Sequence, residues 1–126
     1  MRAVDTNVLV RLVTRDDAKQ AALADAFIAK GAWVSHLVLA EAIWVLDRVY
    51  ELGAPDVAKA IEMLLNHASL SLQDADTVEA ALSHYLQKPS VGFSDCLIVE
   101  IARKAGHTPL GTFDRNLSKL SGTERI

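Results

Sequence analysis

The sequence predicts an α/β fold in three layers, with a short and mainly parallel sheet flanked by helices. Three observations point there. Brief apolar segments, among them Ala3-Val4, Trp33-Val34 and Leu70-Ser71-Leu72, look like strands. Each is followed by a longer stretch of helical periodicity rather than by a second strand. Finally, Asp5 and Asp114 each come directly after a predicted strand, at the carboxyl end where sheets of this kind gather their ligands.

The elements follow in order. Ala3-Val4 ends in Asp5-Thr6-Asn7, after which Val8, Leu9, Leu12 and Val13 recur at helical spacing. Asp17 with Gln20 is a capping pattern that opens an amphipathic helix over Ala18 to Ala29, stopped before Gly31. After Trp33-Val34, residues Ser35 to Leu52 read as a helix that is apolar nearly all round in its first half and ends at Gly53. Such a helix is predicted to be substantially buried. Pro55 starts another helix to Asn66, Leu70 to Leu72 alternates as a strand, and Asp76 with Glu79 caps a helix to Gln87. Ser94 opens a further helix to Lys104 that Gly106 terminates. Leu110 to Phe113 then reads as a strand and Glu124 to Ile126 as an edge strand.

With 126 residues, 51% of them hydrophobic, the chain can bury one compact core but not two ordinary ones, so residues 1–126 are expected to form a single domain. No linker, repeat or low-complexity stretch interrupts it. The longest strongly apolar run, Leu37 to Leu46, contains Glu41 and falls well short of the roughly 20 residues that a bilayer requires, so no membrane span is expected. Met1-Arg2-Ala3-Val4-Asp5 reaches a carboxylate before an apolar signal segment can form, which predicts a cytoplasmic protein. The single Cys96, in Cys96-Leu97-Ile98-Val99, reads as a buried structural thiol. A net charge of −3 does not favour nucleic acid as a partner, but setting four carboxylates aside as metal ligands leaves the remainder at +1. Arg11, Arg15, Lys19, Arg103, Lys104, Arg115 and Lys119 then offer a local basic rim.

Four carboxylates stand out. Asp5, taken alone, fits a helix cap better than a ligand at a strand end. Glu41 lies among Leu37, Val38, Leu39, Ala40, Ala42, Ile43, Trp44, Val45 and Leu46, with no basic residue three or four positions away. If that segment is buried, the carboxylate must be protonated, paired or bound to a cation, since an unpaired buried charge costs several kcal/mol. Asp95 at a helix start is explained either by the helix dipole or by a site, and in Thr112-Phe113-Asp114-Arg115-Asn116 either Asp114 or Asn116 can cap a last short helix. The remaining acids read as structural: Asp17 and Asp76 as caps, Glu100 as a surface partner of Lys104, Asp47 as a neighbour of Arg48. His36, His67, His84 and His107 lack the spacing of a zinc site, and no phosphate loop or serine or cysteine nucleophile motif is present. What is left is a set of oxygen donors suited to Mg²⁺ or Mn²⁺.

In combination these segments resemble the PIN-domain family and, within it, the VapC-like toxins. Asp5-Thr6-Asn7 is similar to that family's first motif, Leu39-Ala40-Glu41 to its second acidic position, Phe93-Ser94-Asp95-Cys96-Leu97-Ile98 to its third and Thr112-Phe113-Asp114-Arg115-Asn116 to its fourth. All four occur in family order. The resemblance implies a PIN-like fold and an endoribonuclease toxin of a toxin–antitoxin pair, acting on single-stranded or loop RNA. It implies Asp5, Glu41, Asp95 and Asp114 as catalytic ligands of one or two Mg²⁺ or Mn²⁺ ions, with Asn7, Thr112 and Asn116 holding them in place. It also implies a VapB-like antitoxin, seated in a groove around Leu9, Leu12 and Phe27. A homodimer is expected from the same resemblance and from the apolar residues Trp44, Val45, Val49 and Tyr50 beyond Glu41. A haloacid-dehalogenase-type phosphatase is the rival enzyme, but it needs a second Asp where Asn7 stands. The same residues are also compatible with a PIN nuclease outside a toxin–antitoxin system and with a PIN-like binding module that lacks activity.

Overall fold

The computed structural model describes residues 1–126, and its contacts divide the chain into two compact units, Met1–Ala75 and Asp76–Ile126. In the first, strand β1 (Arg2–Ala3) leads into helices α1 (Thr6–Thr14) and α2 (Ala18–Ile28). Strand β2 (Ala32–Val34) is followed by α3 (His36–Arg48) and α4 (Ala54–Asn66), and β3 (Leu70–Leu72) closes the unit. The strands form one sheet in the order β1-β2-β3, parallel throughout, with Ala3 opposite Trp33 and Trp33 opposite Ser71. Each crossover is made by a helix pair, the connection that parallel neighbours require. Ala32 and Val34 are buried and Trp33 between them is exposed, the two-residue period of a strand with one face in the core. Helix α1 packs on α2 and α3, and α3 on α4, around fully buried Leu9, Ile28, Leu39, Leu46, Ile61 and Leu64.

Local chemistry explains the helix starts. Asp17 accepts the Gln20 N–H at 2.9 Å and Ser35 the Val38 N–H at 3.1 Å, while Pro55 occupies the first turn of α4. Helix α3 ends at Arg48, earlier than the Leu52 expected from its composition. The chain beyond it turns: Glu51 takes a left-handed φ of 55°, and the Tyr50 hydroxyl is committed to Asp16 at 2.8 Å and Arg11 at 3.0 Å. Nor is α3 buried all round. Only Leu39, Ala42, Ile43 and Leu46 face the core, leaving Leu37 and Trp44 exposed despite their apolarity.

The second unit holds α5 (Ala75–Gln87, whose first residue belongs to the first unit), a short 3-10 turn at Pro89–Val91 and α6 (Phe93–Ala105). Strand β4 (Leu110–Thr112) pairs in parallel with β5 (Thr123–Arg125) in a separate two-stranded sheet, Thr112 opposite Arg125. The expected edge strand is therefore real, but it pairs only with β4. Gly106 ends α6 in the left-handed conformation at φ 85°, where a glycine is favoured. Asp76, expected as a cap, lies inside the first turn of α5, and its carboxylate takes the Lys104 ammonium at 2.9 Å. No helix of the chain is long and apolar enough to cross a membrane.

Candidate functional site

In the first unit, β1 and β2 are parallel neighbours, so the residues that leave their carboxyl ends emerge side by side. Asp5 leaves β1. The Val4 N–H before it donates to the Trp33 carbonyl at 3.2 Å, and Asp5 itself caps α1, its Oδ1 accepting the Val8 N–H at 3.2 Å. The cap therefore occupies Oδ1. Asn7 is exposed in the first turn of α1. Ser35 leaves β2 and caps α3, which carries Glu41 in its second turn.

Glu41 corrects the expectation that placed it in a buried helix. It is exposed, on the face of α3 that also presents Leu37 one turn before and Trp44 one turn after, 77% and 54% exposed. Water can solvate its charge there, so burial does not by itself demand a cation at this position. The apolar run around it was misleading because four inward residues suffice to hold the helix.

In the second unit, Asp95 is the third residue of α6, whose N-terminus is capped by no side chain and begins after Gly92 at φ 89°. It is half-buried. Burial, and then the nearby charge of Asp114, push its carboxyl above the usual carboxylate range. Asp114 is fixed by a dense local network. Its backbone N–H donates to Thr112 Oγ1 at 2.9 Å, and its Oδ1 accepts the N–H groups of Asn116 at 2.7 Å and Leu117 at 3.0 Å. The Asn116 side-chain amide donates to the Ser90 carbonyl at 2.8 Å, tying this turn to the segment that leads into α6 and Asp95. The structure thus brings Asp95 and Asp114 within electrostatic reach of each other and anchors both to one loop system.

A half-buried carboxyl group whose charged form is disfavoured by burial and by a neighbouring carboxylate is an arrangement that a cation would relieve. The donors are all oxygen, which fits Mg²⁺ or Mn²⁺. Within neither unit do three or more His, Cys, Asp or Glu side chains converge closely enough to hold a metal ion on their own.

Sequence reasoning missed one charged cluster. Glu100, expected on the surface beside Lys104, is only 6% exposed. Its carboxylate lies 2.9 Å from His84 Nε2 and accepts Arg103 Nε at 3.2 Å, while Lys104 pairs with Asp76 instead. The signal was present: Phe93, Cys96, Leu97 and Glu100 share one helical face, and the first three are apolar. Cys96 is fully buried as expected, and its surroundings push the thiol up to about 11.

The PIN-domain family model matches residues 2–122, running through both units. The chain belongs to the PIN-domain family. PIN domains are nucleases that generally work with divalent ions, in keeping with the oxygen donors of the Asp95–Asp114 pair. This PIN domain is similar to the VapC20 toxin of Mycobacterium tuberculosis, whose crystal structure is described as that of a sarcin–ricin-loop-cleaving toxin. Sequence identity is 22% over 98% of either chain, with a TM-score of 0.44. None of the curated proteins compared with it matches.

Proposed function

We propose that this PIN domain is a Mg²⁺- or Mn²⁺-dependent endoribonuclease toxin of the VapC-like kind, cutting single-stranded or loop RNA and held inactive by a VapB-like antitoxin. The observation that carries the reading is the Asp95–Asp114 pair, a charge-repelling arrangement next to a hydrogen-bonded turn in a chain of nuclease family. Asp5, Glu41, Asp95 and Asp114 are the ligands in this reading. When bound, the ion lowers the proton affinity of water and neutralises charge on the phosphate. Asp114 is oriented by the two N–H groups at its Oδ1, and Asn116 holds that turn to Ser90. No side chain need attack: Cys96 is buried and, with its thiol at about 11, stays protonated at neutral pH. With water attacking phosphorus and the P–O3′ bond breaking, the O3′ leaving group taking up a proton, the products carry 5′-phosphate and 3′-hydroxyl ends. Unpaired RNA suits such chemistry because its backbone is free to adapt to a site that a duplex could not enter.

A groove in the first unit supports the antitoxin part of this reading. Helices α1 and α2 enclose a groove of about 400 Å³ lined by Asn7, Val8, Leu23 and Phe27 among others, with Leu23 62% exposed. Leu9 and Leu12, expected to line it, are instead in the core. An amphipathic segment would fill the groove, and an Arg or Lys on it would offer a cation to a carboxylate such as Asp5, two residues from Asn7 of the lining. A homodimer remains part of the reading on the strength of Trp44 and Val49, 54% and 65% exposed.

Cleavage of total RNA by the purified chain, followed by sequencing of the new ends, tests the enzyme. Activity in Mg²⁺ or Mn²⁺, its loss in EDTA and 5′-phosphate ends support it; cyclic phosphate ends or metal-independent cutting overturn it. Growth arrest on expression, relieved by the product of an adjacent short reading frame, tests the toxin assignment. An active nuclease that leaves growth untouched is a PIN nuclease of another system, and a chain that binds a partner without cutting RNA is a binding module. Light scattering at micromolar concentration decides the oligomeric state.

A further inference from the structure

Phe113 is 79% exposed, although it sits between two of the most firmly held residues of the second unit. A lone exposed Phe needs no explanation in itself. This one differs in three respects. On one side, Thr112 is the last residue of β4 and its carbonyl accepts the Ile126 N–H at 2.9 Å. On the other, Asp114 is locked by Thr112, Asn116 and Leu117 through the bonds described above. The ring is therefore carried on a rigid backbone rather than a loose loop, so little freedom remains to be lost when something stacks on it. Third, the same end of the β4–β5 sheet carries exposed cations: Arg125 is paired in register with Thr112, and Arg115 follows Asp114.

An exposed aromatic ring and exposed guanidinium groups at one end of a sheet are the components of a surface that binds single-stranded nucleic acid, the ring stacking on a base and the cations tracking the phosphates. We infer that Phe113, with Arg115 and Arg125, forms the platform on which one unpaired nucleobase of the substrate stacks, setting which phosphate meets Asp114. The inference rests on the ribonuclease reading above and deepens it: Phe113 positions the substrate and takes no part in the chemistry. Its place one residue from Asp114 puts the ring within a nucleotide's length of a phosphate held there. Stacking is tolerant of base identity, so the platform selects for an unpaired base rather than for a particular sequence.

The test uses a single-stranded oligouridylate RNA 12-mer carrying one 2-aminopurine, whose fluorescence is quenched when it stacks. Binding is measured in Ca²⁺ and cleavage in Mn²⁺, for the parent, Phe113→Ala, Phe113→Leu and Phe113→Trp. The expected result is that Phe113→Ala and Phe113→Leu both weaken binding about tenfold and abolish the quench, raising KM rather than lowering kcat, whereas Phe113→Trp restores both. Arg125→Ala should weaken binding and flatten its salt dependence while leaving the quench of the bound RNA in place. If Phe113→Leu binds like the parent, the ring is mere apolar cover and the inference is wrong. Unchanged binding by Phe113→Ala overturns it as well, and so does a monomer–dimer shift in that variant without loss of the quench, which would make the residue an interface between copies. A parent that binds and quenches this RNA yet cuts neither it nor total RNA in Mn²⁺ upholds the platform and overturns the ribonuclease reading. A parent that does not bind it overturns the platform.

Discussion

Nε2 of His84 lies 2.9 Å from the carboxylate of Glu100, and Arg103 reaches the same buried group from one turn further along α6. Arg103 also donates to the Ser121 carbonyl at 2.7 Å, so one side chain links the buried acid to the loop before β5. Arg103→Ala leaves Glu100 with a poorer set of donors in a dry site. It should cost about 2 kcal/mol in urea unfolding. Arg103→Ala combined with Glu100→Leu should cost less than the two changes summed, because the charge that needed the arginine is gone. Strict additivity would show that the two side chains do not depend on each other.

Asp95→Asn separates stability from activity. Burial and Asp114 disfavour the charged form of Asp95 in the folded chain, so the neutral amide should raise Tm in EDTA. The parent should gain Tm on adding Mn²⁺ and the variant much less. RNA cleavage should fall by more than the roughly 10–100-fold typical of losing a residue that only orients a ligand. A variant that is less stable than the parent without metal would contradict the repulsion inferred for this pair.

Much of the fold was legible in the sequence, for particular reasons. Asp17, Ser35 and Gly106 mark helix ends through bonds made within a few residues, and Pro55 through its fixed φ, so the sequence contains their causes. The residues around Asp114 were legible for the same reason, since Thr112, Asp114 and Asn116 bond to one another's backbone. Glu41 and Glu100 were misread in opposite senses, one exposed where burial was expected and one buried where exposure was expected. Their environments depend on which stripe of a helix turns inward, and apolar neighbours on all sides of α3 concealed that choice. Partners distant in sequence, such as Asp76 for Lys104, were likewise invisible to spacing within one helix.

Acid should weaken the folded state through carboxylates that the fold holds below their usual range. Asp16 is lowered first by the Thr14 hydroxyl and then by Tyr50, Asp25 by Arg15, and Asp76 by Lys104. Because the folded value lies below the unfolded one, each contribution is present above the ordinary carboxylate range and is lost as pH falls through the folded value. Asp16→Asn should therefore lower stability at pH 7 and make no difference at sufficiently low pH. Urea titrations of parent and variant across that range check this; a gap between them that stays constant with pH would be inconsistent with it.

Cys96 should be inert in the native protein. Full burial and a thiol held near 11 leave almost no thiolate at pH 8. Ellman's reagent should react with it only after unfolding, at a rate that rises with denaturant. Rapid labelling under native conditions would show that α6 opens readily.

The pairing of β4 with β5 has a consequence for how the chain is made. Thr112 is held in register by Arg125 and by the Ile126 N–H, so the strand that delivers Phe113 and Asp114 is completed by residues translated after it. While those residues are still being made, the β4 edge lacks its partner. The ordered turn at Asp114 thus follows a strand whose partner is made later, and that strand is paired only once Thr123–Arg125 have cleared the exit tunnel.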